Sequence, residues 1–112
     1  MSMKNMFNNF KMLITLKERY LVGLFHYGEL EFSESILEMC SSDGKVTQDI
    51  CRMLGKHISG NWGLIDKKTA ETNRDAIFSY IDPIHSRYKY GNCYVEIITN
   101  PHRKVTNIST SL

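Results

Sequence analysis

Hydrophobic and polar positions follow two different spacings along this 112-residue chain. Between residues 46 and 58 the apolar side chains recur three or four positions apart, which is the spacing of one helix face. They are Val46, Ile50, Met53, Leu54 and Ile58. From Ile84 onward apolar and polar residues alternate, which is the period of a strand with one buried face. The pattern therefore predicts helices in the middle of the chain and a sheet at its C-terminal end.

The first predicted elements are a strand and a helix. Glu29–Phe32 alternates between polar and apolar residues, which favours a short strand. Ser33 follows, and its hydroxyl oxygen can accept a hydrogen bond from a free backbone N–H at a helix start. A helix is therefore expected over residues 34–40, and the polar residues 41–44 are expected to end it.

A second helix is predicted over residues 48–57, with Thr47 as its N-cap and Gly60 as its stop. The two helices and their turn have the outline of a helix-turn-helix. The second helix offers only Arg52 and Lys56 as basic residues, which is thin for reading DNA. Two helices packed on a sheet is the preferred interpretation.

A third helix is predicted to begin at Asp66 or Thr69 and to end near Tyr80, before the turn that Asp82-Pro83 imposes. Apolar and small residues at helical spacing define its inward face. That face is expected to hold Ala70, Asn73, Ala76, Ile77 and Tyr80. Asn73 is its one fully polar side chain, so it is expected to have buried partners.

The last third of the chain predicts a three-stranded meander. Gly91-Asn92 is a strong signal for a two-residue hairpin turn, so Ile84–Tyr90 and Cys93–Thr99 are expected to pair. A third strand is predicted over residues 105–110, after the turn at residues 100–102.

The hairpin turn also fixes which residues face each other. Tyr88, Val95 and Ile97 are predicted to be buried against the helices. Arg87, Lys89 and Glu96 are predicted to lie on the opposite, exposed face.

Together these elements predict one α+β domain over residues 1–112, with two to three helices packed on a mainly antiparallel sheet that ends in the meander. Residues 1–9 are polar and rich in methionine, and are expected to fray as an N-terminal extension. The stretch from Phe10 to Phe25 fits a helical stripe as well as strand pieces. Extended structure is preferred for residues 20–25.

Composition narrows the class of protein without identifying an activity. The net charge of +2 is too weak to imply nucleic-acid binding by itself. Cys40, Cys51 and Cys93 lie far apart, which argues against a zinc ribbon or a thioredoxin-type site and suits a reducing cytosol. No signal peptide is indicated, and no apolar run approaches the roughly 20 residues that span a bilayer.

The run H-I-S-G-N-W-G that begins at His57 holds the only tryptophan. With the acidic residue, the asparagine, S-R-Y and I-T-N-P-H-R-K-V-T that follow, the chain resembles a family of small uncharacterised proteins of plasmids, phages and related mobile islands. That family's pattern is approximately His, a gap, Gly-Asp-Trp-Gly, an acidic position, Asn, a small residue, Ser-x-Tyr, Ile-Thr-x-x-x-Arg and a Thr. The match covers about residues 27–108. Asn61 and His102 stand where the family commonly has acidic residues.

The resemblance implies a cytoplasmic accessory protein of a mobile element in a bacterial host. The expected role is non-enzymatic binding that inhibits a host defence system such as CRISPR-Cas or restriction. The partner would be a host defence protein or its nucleic-acid or nucleotide ligand. Two alternatives stay open: a nucleotide or nucleic-acid binder that acts as a signal sponge, and a small ribonuclease-like phosphoryl-transfer enzyme. Monomer and homodimer both remain open, and no membrane association is expected.

Four residues of the motif, His57, Trp62, Asp66 and Asn73, are interpreted as structural. The glycines beside Trp62 let its ring enter the core, although a stacking platform for a base is the alternative. His57 at a helix end suits the helix dipole if protonated, or a backbone carbonyl; a ligand or catalytic role is the alternative. Asn73 is expected to satisfy backbone groups of the loop around Trp62.

The candidate contact residues lie on the meander and are basic or aromatic. They are His85, Arg87, Lys89, Tyr94, His102, Arg103 and Lys104. Imidazole and guanidinium groups together could bind a phosphate or cleave RNA by acid–base catalysis, whereas Glu96 opposite Arg87 offers a plain ion pair. No catalytic motif, phosphate loop or paired metal-ligand spacing is present, so neither a cofactor nor a metal is predicted.

Overall fold

The structure is a computed structural model that describes residues 23–112. The described chain runs through strand β1, helices α1 to α3 and strands β2 to β4. Their bounds are Glu29–Phe32 (β1), Glu34–Ser42 (α1), Gly44–Ile58 (α2), Lys67–Ser79 (α3), Ile84–Tyr90 (β2), Cys93–Thr99 (β3) and Val105–Ser111 (β4). The predicted α+β class, with its helices and C-terminal meander, is confirmed. The prediction for residues 1–9 lies outside the described residues, and of residues 20–25 only 23–25 are described, in no strand.

The four strands form one sheet in the order β1-β4-β3-β2. Strands β2, β3 and β4 pair antiparallel, whereas β1 pairs parallel to β4. The predicted hairpin register is confirmed, with Tyr88 opposite Val95 and Arg87 opposite Glu96. The turn that sets it contains Gly91 at φ +59°, a conformation that favours glycine.

Side-chain caps start each helix, and one of them differs from the prediction. Ser33 caps α1 as predicted, since its hydroxyl oxygen accepts a hydrogen bond from the Ile36 N–H at 3.3 Å. Helix α2 begins at Gly44, and the Asp43 carboxylate caps it by accepting from the Lys45 N–H at 2.9 Å. The prediction that Thr47 is the cap is therefore wrong. Asp43 provides a charged cap one residue after α1 ends, which leaves Thr47 buried inside α2.

Asp66, the first of the two predicted start positions, is the N-cap of helix α3, which begins at Lys67. The Asp66 carboxylate accepts from the Thr69 N–H at 2.6 Å and caps the helix. Asn73 and Ala76 are buried on its inward face, but Tyr80 is 58% exposed. The prediction that Tyr80 belongs to that face is wrong, because the helix ends at Ser79 and Tyr80 turns into the left-handed conformation at φ 56°.

The core lies between the helices and one face of the sheet. That face carries Tyr88, Val95 and Ile97, which are buried as predicted. On the opposite face, which we call the outer face, the side chains of Arg87 and Glu96 are 37% and 18% exposed, so they are half-buried and not exposed as predicted. Within residues 23–112 no helix is long and apolar enough to cross a membrane.

Candidate functional site

The tryptophan loop sends its aromatic ring into the core. Trp62 is buried, and its Nε1–H donates to the main-chain oxygen of His57 at 3.1 Å. Gly60 and Gly63 on either side have φ of +86° and +74°, values that residues other than glycine rarely adopt. A Cβ at Gly63 would also collide with the main-chain oxygen of Arg87. The two glycines therefore permit the sharp turn that places the indole inside.

His57 is fully buried in a chain of side-chain hydrogen bonds. Its Nδ1 lies 2.5 Å from Ser86 Oγ, and its Nε2 lies 2.8 Å from Thr99 Oγ1. Thr99 Oγ1 lies 2.6 Å from Thr106 Oγ1, whose hydroxyl donates to the main-chain oxygen of Tyr27 at 2.6 Å. These hydrogen bonds link α2, three strands and the segment before β1.

When His57 is neutral, only one placement of the protons lets all of these hydrogen bonds form. A carbonyl can only accept, so Thr106 donates outward and must accept from Thr99. Thr99 has then used its only proton, so it accepts from the Nε2–H of His57. The Nδ1 atom of the neutral ring in turn accepts from the Ser86 hydroxyl. The surroundings of His57 thus fix its tautomer.

Burial, followed by the positive charges of His85 and Arg103, lowers the pKa of His57 to about 3. Its ring is therefore neutral at pH 7. The condition for a favourable interaction with the helix dipole, a protonated ring, is therefore not met, and the ring bonds to hydroxyls and not to a backbone carbonyl. The reason is that α2 ends directly against the sheet, where desolvation disfavours a charge.

Asn73 closes the outer edge of β2. Its Nδ2 donates to the main-chain oxygen of His85 at 2.8 Å, and its Oδ1 accepts from the His85 N–H at 3.0 Å. The loop around Trp62 bonds the main chain of Arg87, two residues further along the same edge of β2. The Arg87 N–H donates to the main-chain oxygen of Trp62 at 3.0 Å, and the Leu64 N–H donates to the main-chain oxygen of Arg87 at 2.6 Å. The prediction that Asn73 serves the loop is therefore wrong. Asn73 and the loop around Trp62 thus occupy the hydrogen-bonding groups of an edge strand that could otherwise pair with another chain.

The structure divides the seven candidate contact residues among three places. The outer face of β2 and β3 carries His85, Arg87, Lys89 and Tyr94. His102 and Lys104 are exposed in the turn between β3 and β4, at the end of the sheet opposite the Gly91 hairpin. Arg103, from the same turn, is only 8% exposed.

Arg103 fastens α3 to the turn between β3 and β4. Its guanidinium donates to the main-chain oxygens of Asn100 at 2.8 Å and Pro101 at 3.2 Å, and also to that of Ala76. Ala76 lies in the last turn of α3, where the helix dipole attracts a positive charge, and its carbonyl oxygen also accepts from the Tyr80 N–H at 3.2 Å. Arg103 is thus taken out of the basic contact surface that the sequence suggested.

Tyr94 organises two cations on the outer face. The Cζ atom of Arg87 lies 4.0 Å from the centre of the Tyr94 ring, and the Nζ atom of Lys89 lies 4.6 Å from it. Both distances are within the range of a cation–π interaction. The ring therefore holds the two charged groups near one another.

Glu96 is the anionic centre of the same face. Its Oε1 lies 2.8 Å from His85 Nε2 and 3.9 Å from Arg87 Nε, and its Oε2 accepts from the Ser111 hydroxyl at 2.7 Å. Burial raises the pKa of Glu96, but the hydrogen bonds from Ser111 and His85 outweigh it, so the net pKa is lowered. The Nε atom of Arg87 is buried, and the described residues offer it no hydrogen-bond partner.

The chemistry open to this face is limited. His85 and Glu96 form a pair that could move a proton, and Arg87 could hold an anion beside them. Across residues 23–112, no group of three or more His, Cys, Asp or Glu residues could hold a metal ion. Association through aromatic and basic side chains needs no further group, whereas catalysis would need a second proton carrier.

An apolar patch beside the end of α3 was not predicted from the sequence. Phe78 and Ile81 are 87% and 76% exposed. Leu24 and Tyr80, both more than half exposed, line a groove of about 520 Å³ with their neighbours. The available signal was that Phe78 and Ile81 fall off the inward stripe of the third helix or beyond its end.

A comparison of the chain with protein-family models, with curated proteins and with solved structures finds no match.

Proposed function

We propose that the protein is a small non-enzymatic binding protein of a phage or plasmid, which inhibits a host defence system such as CRISPR-Cas or restriction in the bacterial cytoplasm. Its contact surface in this proposal is the outer face of β2 and β3. The observation that carries the proposal is the Tyr94 ring with Arg87 and Lys89 held against it, on a face that lies away from the helix-packed core. The link to a mobile element rests on the family resemblance alone.

Preorganisation supports this use of the outer face. Aromatic and arginine side chains are the commonest anchors of protein interfaces. Side chains that are already ordered lose less entropy when a partner binds. Tyr94 and Arg87 are half-buried and in contact with each other, so part of that entropy is lost on folding.

The interior position of the motif also supports it. His57 and Trp62 are 0% and 7% exposed, and both are hydrogen-bonded inside the fold. A fully buried, neutral imidazole cannot reach a substrate. The buried residues of that motif thus have structural roles, and contact falls to the side chains of the outer face.

A small ribonuclease is the second candidate, and one observation favours it. The His85–Glu96 pair, at 2.8 Å, is the kind of pair that could take the proton of a ribose 2′-hydroxyl. We expect no turnover, because the described contacts of this pair include no second histidine or carboxylic acid that could protonate the leaving group. Cleavage of RNA that is lost in His85→Ala and retained in His102→Ala would establish the enzyme instead.

The test is affinity capture from bacterial lysate, with mass spectrometry for protein and nucleotide ligands. The wild type should capture a component of a defence system, and Tyr94→Ala and Arg87→Ala should each lose it. Arg74→Ala removes an exposed cation on α3 and is the matched control, which should retain the partner. Melting curves must show that all variants are folded. Full retention by Tyr94→Ala and Arg87→Ala would exclude the outer face.

A further inference from the structure

We infer that Glu96 determines the class of partner that binds the outer face. Its carboxylate gives the face charges of both signs. The face therefore fits a folded protein surface that also carries charges of both signs, and it rejects nucleic acids. This inference rests on the proposed use of the outer face for binding. It selects a protein over a polyanion as the partner.

The charges on the outer face are separated by strand. Arg87 and Lys89 place two cations on β2, at one edge of the sheet. Glu96 lies on the neighbouring strand β3, and Glu29 and Glu31 lie on β1 at the far edge. The strand pairings put all five on one face, opposite the buried one, since side chains alternate along each strand. The face is therefore positive at one edge and negative at the other.

The remaining basic residues do not extend the positive edge. Arg103 is buried and bonded to α3. The main-chain oxygen of Lys104 accepts from the Glu29 N–H at 2.8 Å, so Lys104 lies at the acidic edge. A nucleic acid carries a phosphate at every nucleotide and binds tightly only where cations follow its backbone. The outer face offers two cations and then a carboxylate.

Glu96 opposes a phosphate directly. Its oxygen lies 3.9 Å from the Nε atom of Arg87, so a phosphate bound to Arg87 would lie within a few ångströms of an ionised carboxylate. At that separation the repulsion of like charges is substantial, even near the protein surface. The Tyr94 ring offers no easy alternative, because Arg87 already covers one of its faces and a stacking base would have to displace it.

A protein surface can match both signs at once. A partner carboxylate placed at Arg87 and Lys89 gains the attraction of both cations. A partner donor or cation placed toward Glu96 and Glu31 turns the same carboxylates into attractive contacts. Repulsion between like charges disfavours a wrong partner and is an established source of specificity.

The experiment measures fluorescence anisotropy of a labelled oligothymidylate at about 50 mM NaCl with the full chain. The wild type should show no binding up to about 100 μM, and Glu96→Gln should bind at least about tenfold more tightly, with affinity that falls steeply with salt. Glu31→Gln is the matched control. It makes the same change of net charge on the same face, away from Arg87, and should behave as the wild type.

Three results would overturn the inference: a wild type that itself binds the oligonucleotide below about 100 μM, a Glu96→Gln variant that binds no more tightly than the wild type, and a Glu31→Gln variant with an equal gain. Glu96→Thr, with a strand-forming neutral residue, replaces Glu96→Gln if the latter does not fold. A gain in Glu96→Gln together with full partner retention in Arg87→Ala would remove the proposed contact surface but leave the role of Glu96 intact. No gain in Glu96→Gln, together with loss of the partner in Arg87→Ala, would remove the role of Glu96 and leave the proposed contact surface intact.

Discussion

Asn73 and the main chain of His85 exchange two hydrogen bonds, from Nδ2 to the main-chain oxygen at 2.8 Å and from the main-chain N–H to Oδ1 at 3.0 Å. A helix side chain thus takes the position that a neighbouring strand would occupy at the edge of β2. The free N–H and C=O groups of an edge strand are a template for unwanted pairing with another chain. Asn73 satisfies one peptide of that edge, and the Trp62 loop satisfies the next.

Asn73→Ala should destabilise the protein by about 2–3 kcal/mol, because it leaves both polar groups of the His85 peptide without their partner. Asn107→Ala is the control, since Asn107 is exposed on the outer face, and its change should stay within about 0.5 kcal/mol. Chemical denaturation followed by circular dichroism measures both. Equal stability of the two variants would contradict the role given to Asn73.

Trp62→Ala should cost about 3–5 kcal/mol, the usual range for truncating a buried aromatic side chain. Trp62→Phe keeps most of the packing and loses the hydrogen bond to His57, so its cost should be clearly smaller. Thermal melting of the three proteins is the measurement. An unchanged melting temperature in Trp62→Ala, combined with loss of partner binding, would make the tryptophan a contact residue.

Val95→Asp should destabilise the protein by several kcal/mol, because Val95 is 0% exposed and the substitution would bury an unpaired charge. Ile98→Asp, three positions along the same strand, is the matched control on the half-exposed outer face. It should cost about 1 kcal/mol. The comparison in urea tests which face of β3 is interior, and a larger cost at Ile98 would reverse the assignment.

Gly63→Ala and Gly91→Ala both place a side chain on a glycine with positive φ, at +74° and +59°. Gly91→Ala meets no atom within 4 Å, so it should cost only the conformational term of about 1 kcal/mol. Gly63→Ala should cost more, because its Cβ also collides with the Arg87 carbonyl and disturbs the closed edge. Similar melting temperatures would show that the loop can move away from β2 without penalty.

The neutral His57 should make the protein sensitive to acid. An unfolded His57 binds a proton below about pH 6.5. The folded one binds it only near pH 3. The unfolded state therefore holds more protons between these values, and the free energy of unfolding should fall by about 1.4 kcal/mol per pH unit as the pH drops below 6.5.

His57→Gln isolates this contribution to acid sensitivity, since glutamine cannot take up the proton. Asp49, Asp66 and Glu96 have lowered pKa values, so their stabilising contributions are lost only as the pH falls below about 5. A difference between the denaturation curves of the two proteins from about pH 6.5 to about pH 5 therefore reports on His57. An equal slope in wild type and His57→Gln would contradict a neutral, buried His57.

Local signals in the sequence determined the secondary structure and the sheet register. The Gly91-Asn92 turn and the period-two alternation fix the hairpin because a slip of one residue would turn every apolar side chain to the solvent. Ser33 and Asp66 mark helix starts because a cap needs only the backbone two or three residues away. These features depend on short stretches of chain, so they could be predicted without the fold.

Only the tertiary structure decided which polar residues are interior and which face outward. Arg103 looks like a surface cation in the sequence, but the carbonyl that attracts it is Ala76, 27 residues earlier in the chain. His57 becomes neutral because Ser86 and Thr99, from two different strands, close around it. Glu96 becomes the centre of a mixed-charge face because His85 and Ser111 arrive from its two neighbouring strands. A polar group acquires its partners and its charge state from distant segments, and no local pattern encodes where those segments meet.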